Sequence, residues 1–292
     1  MNYAKYVIPL LLLTLMACKQ QADSADAYGN FEAIEVIVSA ESSGRIISFL
    51  PVEGAALQAG QVAVNIDTTQ LYLQKLSLES GFASLGSRVH TLDAQLRSSE
   101  VQMDNLIREK KRIDKLVEGG AATSKQQDDI NGQVSLLEAQ MAAIASQKDA
   151  VFAERLTLKA QIEQVENQIN KCAVSNPING ILLSKYKEQG EMAAPGQPLF
   201  KMANMEELIL RAYVSGDQLS LIKTGGSVTV SFDKEQDLQQ TTGVVSWISP
   251  RAEFTPKIIQ TREERVNLVY AIKVVVPNDG SLKIGMPGEV KF

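Results

Sequence analysis

Apolar residues in the middle of the chain recur in alternating steps of three and four. One series runs Leu71, Leu78, Phe82, Leu85, Val89, Leu92, Leu96, Met103, Leu106, Ile113 and Val117, with Lys75, Ser99 and Lys110 in its vacant steps. A second runs Ile130, Val134, Leu137, Met141, Ile144, Val151, Leu158, Ile162, Val165 and Ile169, with Lys148 and Arg155 as exceptions. An average period of about 3.5 held this long is the mark of a coiled-coil seam. Neither series contains proline, and Gly81, Gly86 and Gly132 sit near the ends. Between them lies "VEGGAATSKQQDDI", where Gly119 and Gly120 suit a helix end and a reversal. Thr123 or Ser124 can cap the returning helix. The seams from Leu78 to Val117 and from Ile130 to Ile169 are equally long, which predicts an antiparallel hairpin. At about 1.5 Å per residue its arms reach about 60 Å.

The period changes on either side. "GRIISFLPVEGAALQAGQ" and "GILLSKYKEQGEMAAPGQ" share one spacing, Gly44, Gly54 and Gly60 against Gly180, Gly190 and Gly196, at a constant offset of 136 residues. In each, one glycine starts a strand, a second ends a hairpin, and a third, followed by glutamine, begins the next strand. This is an internal repeat interrupted by the helical hairpin. From about Met205, "LILRAYV", "SVTVSF", "GVVSWIS" and "LVYAIKVVV" alternate as an antiparallel barrel does.

The first residues, "MNYAKYVIPLLLLTLMACKQ", place Lys5 before an apolar run from Tyr6 to Met16. That run is shorter than the roughly 20 residues a membrane span needs and suits a secretory h-region. "LMAC" resembles the lipobox of bacterial lipoproteins, which implies cleavage before Cys18 and a lipid on its sulfur, with polar residues 18–30 as a tether. Cys172 is the other cysteine; its spacing continues the second seam, and we read it as a small buried hydrophobe. A net charge of −5 argues against a nucleic-acid partner. Chemistry is thin elsewhere. His90 is the one histidine and reads as a solvated helix residue, Asp128–Asp129 and Glu263–Glu264 lack partners, and the eight methionines do not cluster. No phosphate-binding loop is present. We therefore expect no catalytic, cofactor or metal site.

The two glycine-spaced copies resemble the halves of a biotinyl/lipoyl-like domain. A helical hairpin between such halves is the arrangement of the HlyD-type membrane fusion proteins, or periplasmic adaptors. "NPINGILLSKYKEQGEMAAPGQPLFKM" is similar to their second half and "VSAESSGRIISFLPVEGAALQAGQVAVNID" to their first. "AEFTPKIIQTREERVNLVYAIKVVVPNDGSLKIGMPGEVKF" resembles the YbhG-like branch through its Phe-Thr-Pro, Gln-Thr, Glu-Arg and Leu-Val-Tyr run and closing Gly-Met-Pro strand. The implied fold is mixed α and β: a lipoyl-like barrel-sandwich split by a coiled-coil α-hairpin, then an antiparallel β-barrel. The implied division is signal peptide 1–17, tether 18–30, first half 31–68, hairpin 69–172, second half 173–204 and barrel 205–292.

A true carrier domain presents a lysine for biotin or lipoate in the hairpin between its halves. Here helices take that place, so no prosthetic group is expected. The resemblance implies a lipid-anchored periplasmic subunit of a tripartite efflux or secretion system, with the inner membrane favoured over the outer for the anchor. It would form a ring, by resemblance a hexamer, and couple an inner-membrane transporter, ABC-type favoured, to a TolC-like outer-membrane channel. An RND-pump adaptor and a stand-alone ligand-binding lipoprotein are the alternatives. Family members that dock on such channels carry at the hairpin tip an arginine, a leucine four on and a serine eleven on. Arg112, Leu116 and Thr123, with Ser124 one further, answer to that pattern. Without docking, Arg112 would be a solvated charge, Leu116 a seam residue and Thr123 a cap. The seam exceptions Lys75, Lys110, Lys148 and Arg155 are expected to snorkel or to reach neighbouring hairpins.

Overall fold

The computed structural model of the chain describes residues 25–234, 237–254 and 268–292. The seam folds as two antiparallel helices, α1 (Thr69–Glu118) and α2 (Ser124–Asn170). Every residue of both 3-4 series, exceptions included, is buried or half-buried, and most others on the helices are exposed. Leu85, Val89, Leu92 and Val151 form a buried cluster, with Ile144 and Leu158 packed against it. One register holds along the hairpin: Lys75 meets Glu166 (2.7 Å), Asp93 meets Lys148 (2.6 Å), and Asp114 meets Gln127 (2.8 Å).

The flanking repeats supply eight short strands. Before the hairpin come β2 (Glu35–Ser39), β3 (Gly44–Phe49), β4 (Ala56–Leu57) and β5 (Val62–Ile66). After it come β6 (Ala173–Ser175), β7 (Gly180–Lys185), β8 (Met192–Ala193) and β9 (Pro198–Ala203). They make two four-stranded sheets, β2-β9-β7-β4 and β6-β5-β3-β8, so each sheet takes strands from both halves. Exchanging the halves turns one order into the other, a pseudo-two-fold that the hydrogen bonds repeat. The Gly54 N–H donates to the Leu182 carbonyl (2.8 Å) and the Gly190 N–H to that of Ile46 (2.9 Å). The Gly60 N–H donates to the Asn176 carbonyl (2.9 Å) and the Gly196 N–H to that of Ala40 (2.8 Å). The glutamine behind each third glycine closes its own turn: Gln61 Oε1 accepts from the Gln58 N–H and Gln197 Oε1 from the Ala194 N–H, both at 3.1 Å. Ile46, Val64, Ile66, Leu182, Leu199, Phe200 and Met202 fill the space between the sheets. Cys172 joins them, buried beyond the end of α2 with Sγ 3.3 Å from Ser42 Oγ. It packs the sandwich rather than continuing the helical seam.

The third body is a closed barrel. Strands β1 (Ala27–Glu32), β10 (Glu207–Ser215), β11 (Ser227–Lys234), β12 (Asp237–Ile248), β14 (Leu268–Pro277) and β15 (Pro287–Lys291) follow the order β10-β1-β15-β11-β12-β14, and β14 pairs back with β10. Strand β13 (Glu253–Phe254) pairs with the start of β14. Phe31, Leu208, Leu210, Val230, Ile272, Val274 and Val290 fill the interior.

The N-terminal boundary differs from the expectation. The implied division puts residues 27–30 in the tether and 31–32 in the first lipoyl-like half, yet Ala27–Glu32 is a barrel strand between β10 and β15. Its inward side is Ala27, Gly29 and Phe31, so one aromatic carries the strand's apolar signal. Gly29 is required there because a Cβ would lie 2.0 Å from the Arg211 carbonyl oxygen. The Phe of the Phe-Thr-Pro run, Phe254, ends β13, and the run's Leu268-Val269-Tyr270 opens β14; its Thr-Pro, Gln-Thr and Glu-Arg parts lie outside the described residues.

Candidate functional site

The hairpin tip is the end farthest along the chain from the sheets, and both of its helix ends are closed by local chemistry. At the end of α1 the Ala121 N–H donates to the Leu116 carbonyl (2.8 Å) and the Gly120 N–H to that of Val117 (3.0 Å). Gly120 has φ +71°, so the two bonds and the left-handed residue make a Schellman turn. At the start of α2, Thr123 is in extended backbone and its hydroxyl accepts from the Gln126 N–H (3.4 Å). Gln126 Oε1 in turn accepts from the Thr123 N–H (2.9 Å), completing a capping box. Of the two caps the sequence offered, Thr123 and Ser124, the structure uses Thr123; the partner Gln126 was missed, although the spacing T-x-x-Q carries that signal. Behind the tip, Asp114 accepts from the Gln127 side chain and Lys110 donates to Asn131 Oδ1, which ties the arms together.

The four tip residues fall in the last two turns of α1 and the first of α2. Arg112 is well exposed and is held along α1 by Glu109, with contacts of 2.6 and 3.1 Å. Leu116 is 41% exposed, one position off the seam residue Val117, so it is no part of the seam. Thr123 is engaged as a cap, and Ser124 is exposed at the first helical position. The tip therefore presents an isolated apolar side chain beside a positioned guanidinium.

Within the chain, the four charged seam residues each have a partner on the hairpin. Lys75 pairs with Glu166 and Lys148 with Asp93 across the arms, Lys110 with Asn131, and the Arg155 guanidinium lies 4.5 Å from the Phe82 ring centroid. Hydrogen bonding to Glu166 raises the Lys75 pKa, and hydrogen bonding to Lys148 holds that of Asp93 below the usual aspartate value.

The six repeat glycines divide by geometry. Gly54, Gly60, Gly190 and Gly196 have φ between 82° and 93° in turns, where glycine avoids strain. Gly44 and Gly180 open β3 and β7, where the neighbouring chain comes close: a Cβ on Gly180 would lie 2.3 Å from the Ala203 carbonyl oxygen. Helices α1 and α2 occupy the place of a carrier lysine hairpin.

His90 is exposed, and among the described residues no three His, Cys, Asp or Glu are grouped to hold a metal ion. A cleft of about 550 Å³ lies beside the barrel at Tyr28, Asn30, Tyr213, Leu238 and Glu289. Tyr28 and Asn30 alternate with the inward Ala27 and Phe31, so this cleft is on the outer wall and the barrel interior is filled. Among the described residues no helix is long and apolar enough to cross a membrane. Cys18 lies outside the described residues.

No family model matches the chain. It is 26% identical over 299 residues to the UPF0194 membrane protein YbhG of Salmonella paratyphi B, spanning 94% of this chain and 90% of the relative. It is 24% identical over 285 residues to the UPF0194 membrane protein in the asrC 5′ region of Acidithiobacillus ferridurans, spanning 89% and 84%. Among solved structures, MacA from Actinobacillus actinomycetemcomitans superposes with a TM-score of 0.59 at 18% identity, over 90% of this chain and 76% of that one. The membrane fusion protein Spr0693 from Streptococcus pneumoniae R6 does so with 0.56 at 17% identity, over 90% and 97%. Split sandwich, hairpin and barrel sit in the order read from the sequence: along nearly its whole length the chain is similar to the YbhG-named UPF0194 membrane proteins, and its fold is that of the solved membrane fusion protein Spr0693.

Proposed function

We propose that the chain is a periplasmic adaptor, anchored by a lipid on Cys18, that couples an inner-membrane transporter of ABC type to a TolC-like outer-membrane channel. Its work is mechanical: copies close into a ring, a hexamer, and their hairpins pack side by side into a tube. The observation that carries this reading is the single-register hairpin with its doubly capped, exposed tip. A projection of about 70 Å at about 1.5 Å per residue buries only its own seam and leaves its outer surfaces for partners. Arg112, Leu116, Thr123 and Ser124 are the proposed docking set for the channel.

The outer edges of the hairpin support lateral packing. Near the tip, α1 exposes Arg108, Lys111 and Lys115, while α2 exposes Asp128 and Asp129 at the same height, since Gln127 stands opposite Asp114. With Asp104 and Glu118 on α1 and Lys125 on α2 also exposed, both edges are mixed, but bases predominate on α1 and acids on α2, so α1 of one copy suits α2 of the next, a head-to-tail contact that can close a ring. Mass measurement of the detergent-solubilised full-length protein, with crosslinking between Lys111→Cys and Asp128→Cys, tests the assembly. A strict monomer at high concentration without crosslinks refutes it. Leu116→Ser tests the tip: export should be lost with the fold intact, and unchanged export removes the four residues from the site.

A further inference from the structure

The two flanks of the seam differ in chemistry. On one, the polar seam residues reach across to the opposite arm, Lys75 to Glu166, Lys148 to Asp93 and Lys110 to Asn131, and Glu79, Glu138 and Lys159 add further charge. The other flank holds the residue just before alternate seam positions, and there α2 carries Gln133, Gln140, Gln147, Gln161 and Gln168 every seventh residue. Glu154 is the one interruption, and Gln126 of the capping box begins the series. On α1 the equivalent places are Gln74, Gly81, Arg88, Gln95, Gln102, Glu109 and Leu116, so that arm adds one base and one acid to an otherwise uncharged row. All these glutamines are exposed, and among the described residues those behind the cap make no side-chain hydrogen bond within the chain. Glutamines of both arms meet on this side: a shallow groove of about 340 Å³ is lined by Gln74, Leu78, Gln161, Gln164, Val165 and Gln168.

A primary amide offers two donors and an acceptor without carrying charge. A stripe of them stays wetted, yet it neither attracts counterions nor concentrates a charged solute as a wall of one sign does. From Gln126 to Gln168 the stripe extends about 60 Å at about 1.5 Å per residue, nearly the whole arm. The opposite flank, with fixed acids and bases, is suited to bulk solvent. When hairpins pack by their outer edges, one flank of every copy faces the bore and the other faces outward.

Resting on the tube proposed above, we infer that the glutamine flank lines the bore, and that cargo passes a hydrated amide wall without being held by its charge. Cargo is then selected at the transporter, and transit along the hairpins is indifferent to the sign of its charge.

The test is thiol accessibility in the assembled full-length protein, in which Cys172 is buried. Single substitutions Gln140→Cys and Gln147→Cys are compared with Glu138→Cys and Lys159→Cys on the charged flank, each first checked for helicity. Two reagents are used, a small maleimide and a polymer-bearing maleimide too large for the bore. In the dissociated protein all four sites should react with both. On assembly the glutamine-flank sites should lose reaction with the polymer reagent and keep it with the small one, while the charged-flank sites keep both. Protection of the charged flank instead, or equal access to both flanks while Lys111→Cys and Asp128→Cys still crosslink between copies, overturns the inference. Failure of that crosslink shows that the tube itself is wrong, and the inference falls with it.

Discussion

Replacing Gly180 and Gly196 by alanine, one at a time, separates the two reasons the repeat uses glycine. Gly196 has φ +82° and a Cβ there would meet nothing within 4 Å. Its cost is conformational alone, about 1–2 kcal/mol for an L-residue in the left-handed region. Gly180 lies outside that region, but a Cβ would stand 2.3 Å from the Ala203 carbonyl oxygen and 2.8 Å from its carbon. Those are backbone atoms of β9 and cannot rotate aside. Strands β7 and β9 must part where Ile181 pairs with Ala203 and Leu182 with Met202. Overpacking of about 1–3 kcal/mol, with one or two ladder hydrogen bonds of about 1 kcal/mol each, gives about 2–5 kcal/mol, with a middle value of ~3.5 kcal/mol. Far-UV circular dichroism is dominated by the hairpin, so the assay is native-state amide exchange of β7 and β9 peptides. A difference of about 2 kcal/mol between the variants corresponds to roughly thirty-fold in protection. If Gly180→Ala leaves β7 and β9 as protected as Gly196→Ala does, the close-approach argument is wrong.

Other outcomes follow from the hairpin. Thr123→Ala should remove the capping box and cost about 1 kcal/mol, read as faster exchange of amides 124–127, with Thr123→Ser restoring protection. Leu92→Ala, in a buried cluster of the seam, should cost about 2–4 kcal/mol and lower the thermal midpoint of the helical signal. Asp93 has a lowered pKa in the folded chain, so its pairing with Lys148 stabilises above the usual aspartate value near pH 4 and is lost as pH falls through the lower folded value. Asp93→Asn should therefore flatten the acid limb of hairpin stability measured by circular dichroism. Lys75 has a raised value, so its contribution is complete below the usual lysine pKa near 10.4 and disappears as pH rises through the folded one. Lys75→Gln should therefore lower stability at neutral pH and flatten the alkaline limb of its pH dependence.

Much of this architecture was readable because two periods are written plainly. The 3-4 series named the seam residues down to its polar exceptions, since a coiled coil gives each position one environment. Equal arms and the Gly119–Gly120 pair gave the reversal. The glycine spacing gave the split repeat, because four of its six members answer to backbone angles set by local turns. What was hidden depends on partners distant in sequence. Strand β1 is half small residues and is defined by its neighbours β10 and β15. Cys172 keeps helical spacing although the helix has ended, and its surroundings are set by the sandwich. Gly180 is specified by Ala203 on another strand. The destinations of Lys75 and Lys148 required the register, which becomes known only when the arms are aligned. At the tip, Thr123 was legible as a cap because capping is local, while the exposure of Leu116 needed the phase of the seam to be fixed beside it.

The interleaving of the sandwich has a consequence for how the chain reaches its fold. Strands β5 and β6 are neighbours in one sheet, yet residues 67–172 separate them. Bringing the ends of a floppy loop that long together costs about 4 kcal/mol in its logarithmic part. The hairpin changes that order of events. Its turn at residues 119–123 is local, each seam layer closes only a short additional loop, and the arms zip from the tip toward the sheets. When the last layers form, Ile66 and Cys172 arrive within backbone hydrogen-bond distance (2.8 Å), and the two half-sandwiches meet as if joined by a tight link. An arm that reaches outward in the folded protein would thus first draw its own base together.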